Sequence, residues 1–308
     1  MIRLIAYRLG EALVSLFLMS IVVFFLARIS GDPVAVLLGE GATKADKARL
    51  IHDLGLDRSL IEQYGIFLVH AAQGDLGRSI NGDQSPALGL VLQRLPYSLL
   101  LAAASLILAL AIGIPLGVAA AVHRGRPLDA AARTAALLGQ SIPPFWLGLV
   151  LIYVFAVQLG WFRSSGFGGP GYIVLPAVTM ALFSLAAVVR LIRGAMIEGL
   201  TSEYVKLARA KGLSERAVVW GHALPNSVFP VVTFMGSFFA TMITGAVVVE
   251  TVFSWPGIGR LALDSILRRD FAVIQAVVMV ITTLYIAMNL LVDIGYAWLD
   301  PRVREAAR

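Results

Sequence analysis

Runs of uncharged residues alternate with short charged ones along the whole chain. Six stretches carry no Asp, Glu, Lys or Arg: residues 12–27, 98–122, 134–162, 171–189, 223–249 and 271–292. A helix of about 20 apolar residues crosses the hydrocarbon core of a bilayer, so each stretch predicts a spanning helix. The first is short at 16 residues, but Ile5, Leu9 and Ile29 lengthen it, and Arg8 and Arg28 can snorkel from its ends. No small-x-small cleavage site follows it, which predicts a retained helix rather than a secretion signal. Pro115 in IGIPLG and Pro143-Pro144 in QSIPPFW interrupt two of the runs. Neighbouring helices satisfy the backbone groups that such residues free. The pattern leaves open whether they kink helices into a bundle or line a pathway with irregular backbone.

Between the first two runs, residues 31–95 place apolar positions at helical spacing (Leu50, Ile51, Leu54; then Leu60, Ile61, Tyr64, Phe67, Leu68), with Gly55 breaking the two pieces. The following GDLGRSINGD is turn-rich. This predicts a small helical cap, and the chain returns to the membrane at Arg94-Leu95-Pro96. The expected division is residues 1–30 (N-terminus and first span), an outside helical region over 31–95, and a core over 96–308. Within that core, spans are expected at 98–122, 134–160, 172–193, 227–250 and 272–298. A loop at 194–226, an outside loop at 251–271 and a terminal tail complete it.

Composition agrees with this pattern. Of 308 residues, 58% are hydrophobic and 14% charged, and the mean hydropathy is +0.83. Soluble domains carry about 25% charged residues. The net charge of +6 reads as a topology signal rather than a nucleic-acid footprint, since no basic-aromatic module accompanies it. With the N-terminus inside, the inside segments hold fourteen basic residues: Arg3, Arg8, Arg124, Arg126, Arg133, Arg190, Arg193, Lys206, Arg209, Lys211, Arg216, Arg302, Arg304 and Arg308. The short outside loops hold four: Arg163, Arg260, Arg268 and Arg269. Both termini are therefore expected on the inside of the membrane.

Catalytic chemistry is hard to find. There are no cysteines, and no GxxxxGK[ST], HExxH or GxSxG motif occurs. The four histidines, His52, His70, His123 and His222, sit on separate loops. Ionisable residues within spans default to function. The clearest is Asp293, which shares a helix face with Asn289 and Tyr296 close to the inner interface. Asn289 and Asp293 read as a structural polar contact, for example to Arg190. Glu250 ends the fifth span, and Arg260 or Arg269 could pair with it. Near it, Phe253, Trp255 and Pro256 form an aromatic turn, either an interfacial anchor or a hairpin dipping toward a pore mouth. With Pro143 and Pro144 these residues make up the candidate pathway set.

The most polar stretch of the second half is EYVKLARAKGLSERAVVWGHALPN, residues 203–226. Tyr204, Leu207, Ala208 and Leu213 supply an apolar face, while Lys206, Arg209 and Lys211 supply a basic one. Gly212 suits a left-handed helix end, and Ser214 can cap a following helix. The segment thus reads as helix, tight turn, helix. Such an element lies either on anionic lipid or in the groove of a partner protein, and the physics of the sequence leaves both open.

This loop resembles the cytoplasmic loop of ABC importer permeases, in the version found in peptide and nickel permeases. GDP at 31–33, LGLD at 54–57, GDLGRSI at 74–80, RLP at 94–96, SIPPFWLG at 141–148, VVVETVFSWPGIGRL at 247–261 and NLLVDIGYAWLDPR at 289–302 continue the likeness in order over nearly the whole chain. They match the first of two paired permeases. Departures are Glu203 for the usual Asp, Phe162-Arg163 for Leu-Pro, Ala272 for Pro, and Pro225 before Asn226.

The resemblance implies an all-α integral membrane protein with the type I ABC importer permease fold and six transmembrane helices. It implies a second homologous permease, two ABC ATPase subunits that bind ATP and Mg, and an extracytoplasmic substrate-binding protein as partners beside the lipid bilayer. No cofactor, metal or enzymatic activity is expected in this chain. The loop helix would dock on an ATPase through Glu203, Tyr204, Leu207, Ala208, Arg209, Ala210, Lys211, Gly212 and Leu213, with Ala208 to Lys211 as its docking face. Family likeness favours di- or oligopeptides as cargo, with a nickel chelate, haem or glutathione as alternatives. A stand-alone secondary carrier is the rival class, and it would need more intramembrane ionisable groups than this chain carries.

Overall fold

The structure is a computed structural model that describes residues 2–29, 38, 43–53, 55–81 and 84–299. In chain order its helices are α1 (Ile2–Ile29), α2 (Lys44–Asp53), α3 (Leu60–Ala72), α4 (Ala87–Val122) and α5 (Pro127–Ser141). Next come α6 (Pro144–Leu151, continuing as a π-helical turn over Ile152–Gln158), α7 (Pro170–Thr201) and α8 (Glu203–Ala210). α9 starts as Glu215–Ala217, passes through a π-helical turn at Val218–Ala223 and closes as Leu224–Ser227. It is followed by α10 (Phe229–Val252), α11 (Ile258–Leu267) and α12 (Phe271–Leu299). The chain divides into two compact units, residues 1–96 with 257–308, and residues 97–256.

Four helices, α1, α4, α7 and α12, are long and apolar enough to cross a bilayer. Two bent pairs, α5 with α6 at 100° and Glu215–Gly236 with Phe238–Val252 at 48°, raise the number to six if each pair is one span. The most apolar window of α7 is 61% buried, against 17%, 28% and 22% for α1, α4 and α12. α7 is thus the packed centre of its unit, and the other three turn apolar surface outward as membrane helices do.

A single third span over 134–160 is expected from the sequence, but the structure breaks it at Ile142-Pro143. Both residues are extended (ψ 122 and 132), and α5 and α6 meet at 100°. A proline drives the residue before it out of the helical region, and at the first turn of a helix its missing N–H costs nothing. Two prolines in succession therefore end α5 and open α6. Pro115 behaves differently, because α4 runs through it without a break. The boundary expected at residues 95 and 96 also falls inside α4, whose first turns start at Ala87.

Within the 97–256 unit, backbones approach α7 closely at glycines. A side chain on Gly113 would sit 2.7 Å from Val188, and one on Gly117 would sit 2.8 Å from Ile192 and 3.0 Å from the Val189 carbonyl. This is a small-xxx-small seam between α4 and α7. Gly139 lets α5 onto Leu182 of α7, and Gly148 lets α6 onto Phe253. In the other unit, Phe24 of α1 is fully buried edge-on against Tyr64 of α3, whose hydroxyl lies 2.8 Å from Ser20 Oγ. Ser59 and Glu62 close a capping box at the start of α3. The buried polar residue of α3 is Gln63, whereas Ile61, an expected apolar-face position, is exposed.

Packing this tight makes Gly117 a sensitive position. Gly117→Val should destabilise the chain by about 1–3 kcal/mol, the usual penalty of overpacking, and lower its melting temperature in detergent. Gly10→Val, where no atom lies within 4 Å, should leave it unchanged.

Candidate functional site

α8 hangs from α7 by a single extended residue, Ser202 (φ −70, ψ 156). The Ser202 hydroxyl donates to the Gly199 carbonyl at 2.5 Å and so closes the end of α7. Glu203 opens α8, where its charge suits the helix N-terminus. The other end is a Schellman turn: Leu213 N donates to Ala208 O at 3.3 Å and Gly212 N to Arg209 O at 2.9 Å. Gly212 has φ 79, a value that residues with a Cβ avoid. Ser214 then caps α9, its Oγ accepting from Ala217 N.

The eight residues of α8 present two apolar faces. Val205 and Ala208 are buried at 0% and 5% exposure, in one cluster with Ile192 and Met196 of α7 and Val218, Val219 and Ala223 of α9. Tyr204 and Leu207, also three apart, are exposed at 42% and 57%, and Leu213 of the turn at 40%. The sequence expectation put Ala208 on the docking face and grouped it with Tyr204 and Leu207. The structure places Ala208 in the mount instead, because Val205 and Ala208 form the stripe that meets α7 and α9. Ala210, Lys211 and Gly212 are exposed around the turn.

Arg209 is occupied within the chain. Its Nε and Nη2 donate to Glu215 Oε1 and Oε2 at 2.7 and 3.1 Å, and its Nη1 donates to Leu200 O at 3.3 Å. It ties α8 to α9 and to the last turn of α7. The Arg209 guanidinium holds the Glu215 carboxyl below the usual carboxylate range, and Glu215 raises Arg209 in return. Glu203 pairs with Lys206 at 2.7 Å on the open side.

Two features around this mount are absent from the sequence reading. A Cβ on Gly199 would sit 2.8 Å from Ser227 Oγ, which donates to Ala195 O, so α9 lies directly on the end of α7. Higher on α7, Arg193 donates to both oxygens of the buried Asp129 of α5, at 2.6 and 2.9 Å. Asp129 also accepts from Gly125 N at 3.0 Å, with Arg133 at 3.4 Å. Charge counting used Arg193 only as a topology marker, and its partner lies 64 residues away. An Asp four residues after the turn glycine and two after the helix-opening proline of HRGRPLD is the available signal.

The candidate pathway set separates into two groups. Pro143 and Pro144 are exposed at the corner between α5 and α6. Phe253 and Trp255 are buried at 1% and 0% exposure. Trp255 Nε1 donates to Tyr97 O at 3.0 Å, and its ring meets Phe167 edge-on at 5.2 Å. Trp255 is therefore an internal wedge, not an interfacial anchor, because its indole N–H is satisfied inside the unit. Glu250 is fully buried and accepts from Ser98 Oγ at 2.5 Å. Pro256 is half-buried. Asn289 lines a small cleft with Arg8, Glu11 and Tyr285, while the side chains of Asp293 and Tyr296 lie outside the described residues, as do residues 31–33 and the terminal tail. No three His, Asp or Glu side chains converge on a possible metal position among the described residues.

Among the described residues the chain is a set of apolar helices with a short helix mounted at the end of α7. Residues 113–305 match the family described as binding-protein-dependent transport system inner membrane component, and residues 1–102 match the N-terminal region of that family. The chain belongs to this family. It is 38% identical to a di/tripeptide transport system permease protein of Pseudomonas aeruginosa, over 99% of both chains. It is 37% identical to a glutathione transport system permease protein of Escherichia coli, again over 99% of both. The fold is similar to that of the MetNI methionine ABC transporter in an inward-facing form, with a TM-score of 0.53 at 18% identity over 71% of this chain and 96% of that one.

The Arg209–Glu215 clamp sets a pH dependence. Because the folded pKa of Glu215 is depressed, the clamp is complete above the ordinary glutamate value of about 4.3. It is lost as the pH falls through the lower folded value. A spin label at Lys211 should stay ordered at pH 7 and loosen only below the usual carboxylate range. With Glu215→Gln the label should be mobile at pH 7.

Proposed function

We propose that this chain is a membrane-spanning permease subunit of an ATP-driven, binding-protein-dependent peptide importer. In this reading it forms half of the translocation route beside a second, homologous permease. Two ABC ATPases bind ATP and Mg, one of them docking at α8, and a substrate-binding protein docks on the opposite face. Both termini lie in the cytoplasm of a bacterial inner membrane, as the excess of basic residues on the α8 side supports.

The single observation that carries the reading is the two-faced geometry of α8. Tyr204, Leu207 and Leu213 are exposed together on a helix whose other face is sunk into the packing around α7. A lipid anchor needs only the exposed face. A mechanical coupling element needs both, one to receive the partner and one to pass its motion to the spans. Coupling of this kind is reciprocal, so substrate delivery outside should alter ATP hydrolysis inside.

Peptide cargo is supported by the names of the relatives. Glutathione is itself a tripeptide, so the second relative falls in the same chemical class, whereas a nickel chelate or haem would need a different binding protein. ATP-independent uptake by this chain alone would favour a secondary carrier.

Leu207→Asp places a charge on the exposed face and should cut ATPase co-purification and peptide uptake at least tenfold, as loss of an interface anchor does. Its melting temperature as an isolated subunit should not change. Val205→Asp should instead lower the melting temperature of the isolated subunit. Equal ATPase retention by Leu207→Asp and wild type would refute docking at this face.

A further inference from the structure

The unit formed by residues 1–96 and 257–308 holds a cavity of about 310 Å³ near Arg28, Phe67, Asp75, Leu76 and Phe271. Its size is at the lower end of small-molecule sites, roughly 300–1,000 Å³. Arg28, at the last turn of α1, does not snorkel away from the chain. Its Nε donates to Gln63 Oε1 at 2.9 Å, and its Cζ lies 4.3 Å over the Phe24 ring. Gln63 is itself fixed, buried with its amide donating to Leu56 O and Arg58 O at 3.3 and 2.9 Å. The guanidinium is thus held on two sides, while its Nη1 and Nη2 make no hydrogen bond or ion pair among the described residues. A half-buried cation without a counter-charge among the described residues is costly to leave so, and a planar two-pronged donor suits a carboxylate.

The remaining lining decides what carries that carboxylate. Phe67, Leu76 and Phe271 offer apolar walls. Asp75 lies on the open side with its carboxylate exposed, held by Gly77 N at 3.0 Å and His70 Nδ1 at 3.1 Å. A half-buried cation, apolar walls and an exposed anion complement a molecule with a carboxylate, an apolar body and an ammonium group. We propose that this cavity binds a short apolar peptide or amino acid, with its carboxylate on Arg28 and its amino end toward Asp75. All its lining residues belong to one unit of this chain, and none belongs to α8. A neighbouring apolar cleft between α1 and α12 shares Phe271 and Gln275 and carries Arg269, so a phospholipid with its headgroup on Arg28 is the competing occupant.

The choice of a peptide probe rests on the importer reading. Binding is therefore measured on the full chain in phosphatidylcholine nanodiscs, without ATP, ATPases or binding protein. Calorimetric titration with the dipeptide Leu-Leu should show binding, and its C-terminal amide should bind at least tenfold more weakly. Arg28→Gln should lose at least tenfold, Arg28→Lys should recover part of it, and Ala272→Phe should abolish binding by filling the cavity with Arg28 intact. Thermal unfolding of each variant identifies a folding defect, and if both Arg28→Gln and Ala272→Phe misfold, the acid against amide comparison on the wild-type chain decides. No binding of Leu-Leu, or equal binding of acid and amide, overturns the proposal. So does retention of phosphatidylglycerol by wild type but not by Arg28→Gln, with no competition from Leu-Leu. Missing binding with ATP-driven uptake intact counts against the cavity alone, and intact binding without ATP-driven uptake counts against the importer reading alone.

Discussion

Close backbone approach along α7 is the constraint on which the 97–256 unit depends. Gly113 and Gly117 admit α4, Gly139 admits α5, and Gly199 admits the end of α9. Lipid offers no hydrophobic drive between helices, so association there rests on van der Waals contact and hydrogen bonds, both of which favour small residues at the seam. Asp129 and Arg193 add a charge-assisted lock between α5 and α7 at 2.6 Å. A helix held on so many sides moves as a body. α8 continues from it through one residue, Ser202, which is the short connection the proposed coupling requires.

Two-faced packing suits α8 to the coupling role proposed for it. An eight-residue helix has little stability of its own in water. It is held by Val205 and Ala208 inside, by the Schellman turn at Gly212 and by the Arg209 clamp to Glu215 and Leu200. Arg209 is engaged by internal bonds and Glu203 pairs with Lys206, so these three exposed charges already have partners within the chain. Apolar contact through Tyr204 and Leu207 is then the main adhesive available to a partner, with charge left to orient it.

Local chemistry was legible in the sequence, and long-range pairing was not. Gly212 and Ser214 announce a turn and a cap by residue type alone, and the structure has both. The apolar runs likewise locate the long helices. The runs could not show that Pro143-Pro144 make a 100° corner while Pro115 passes unnoticed. Proline frees the same backbone groups in each case, and the outcome turns on whether the preceding residues extend or stay helical. Face assignment in α8 failed for a related reason. With apolar residues at 204, 205, 207 and 208, periodicity permits two stripes, and only the position of α7 and α9 selects Val205 with Ala208 for burial. Asp129–Arg193 and Gly199–Ser227 depend on tertiary contact that no local window contains.

The buried acids bear on how transport is powered. Asp129 receives Arg193 and the Gly125 N–H, Glu250 receives the Ser98 hydroxyl, and Asp270 receives Ser79, Asn81 and the Val273 N–H. Each stands near a helix end and joins segments of its own unit. An acid that couples a proton gradient must exchange its proton with water during the cycle, and it sits within a span where its charge is costly and its release is work. Asp129, Glu250 and Asp270 instead use their oxygens to hold helix ends in place, so protonating them would loosen the scaffold rather than drive it. Work delivered from outside the chain, as proposed for α8, fits these residues better than an internal proton relay.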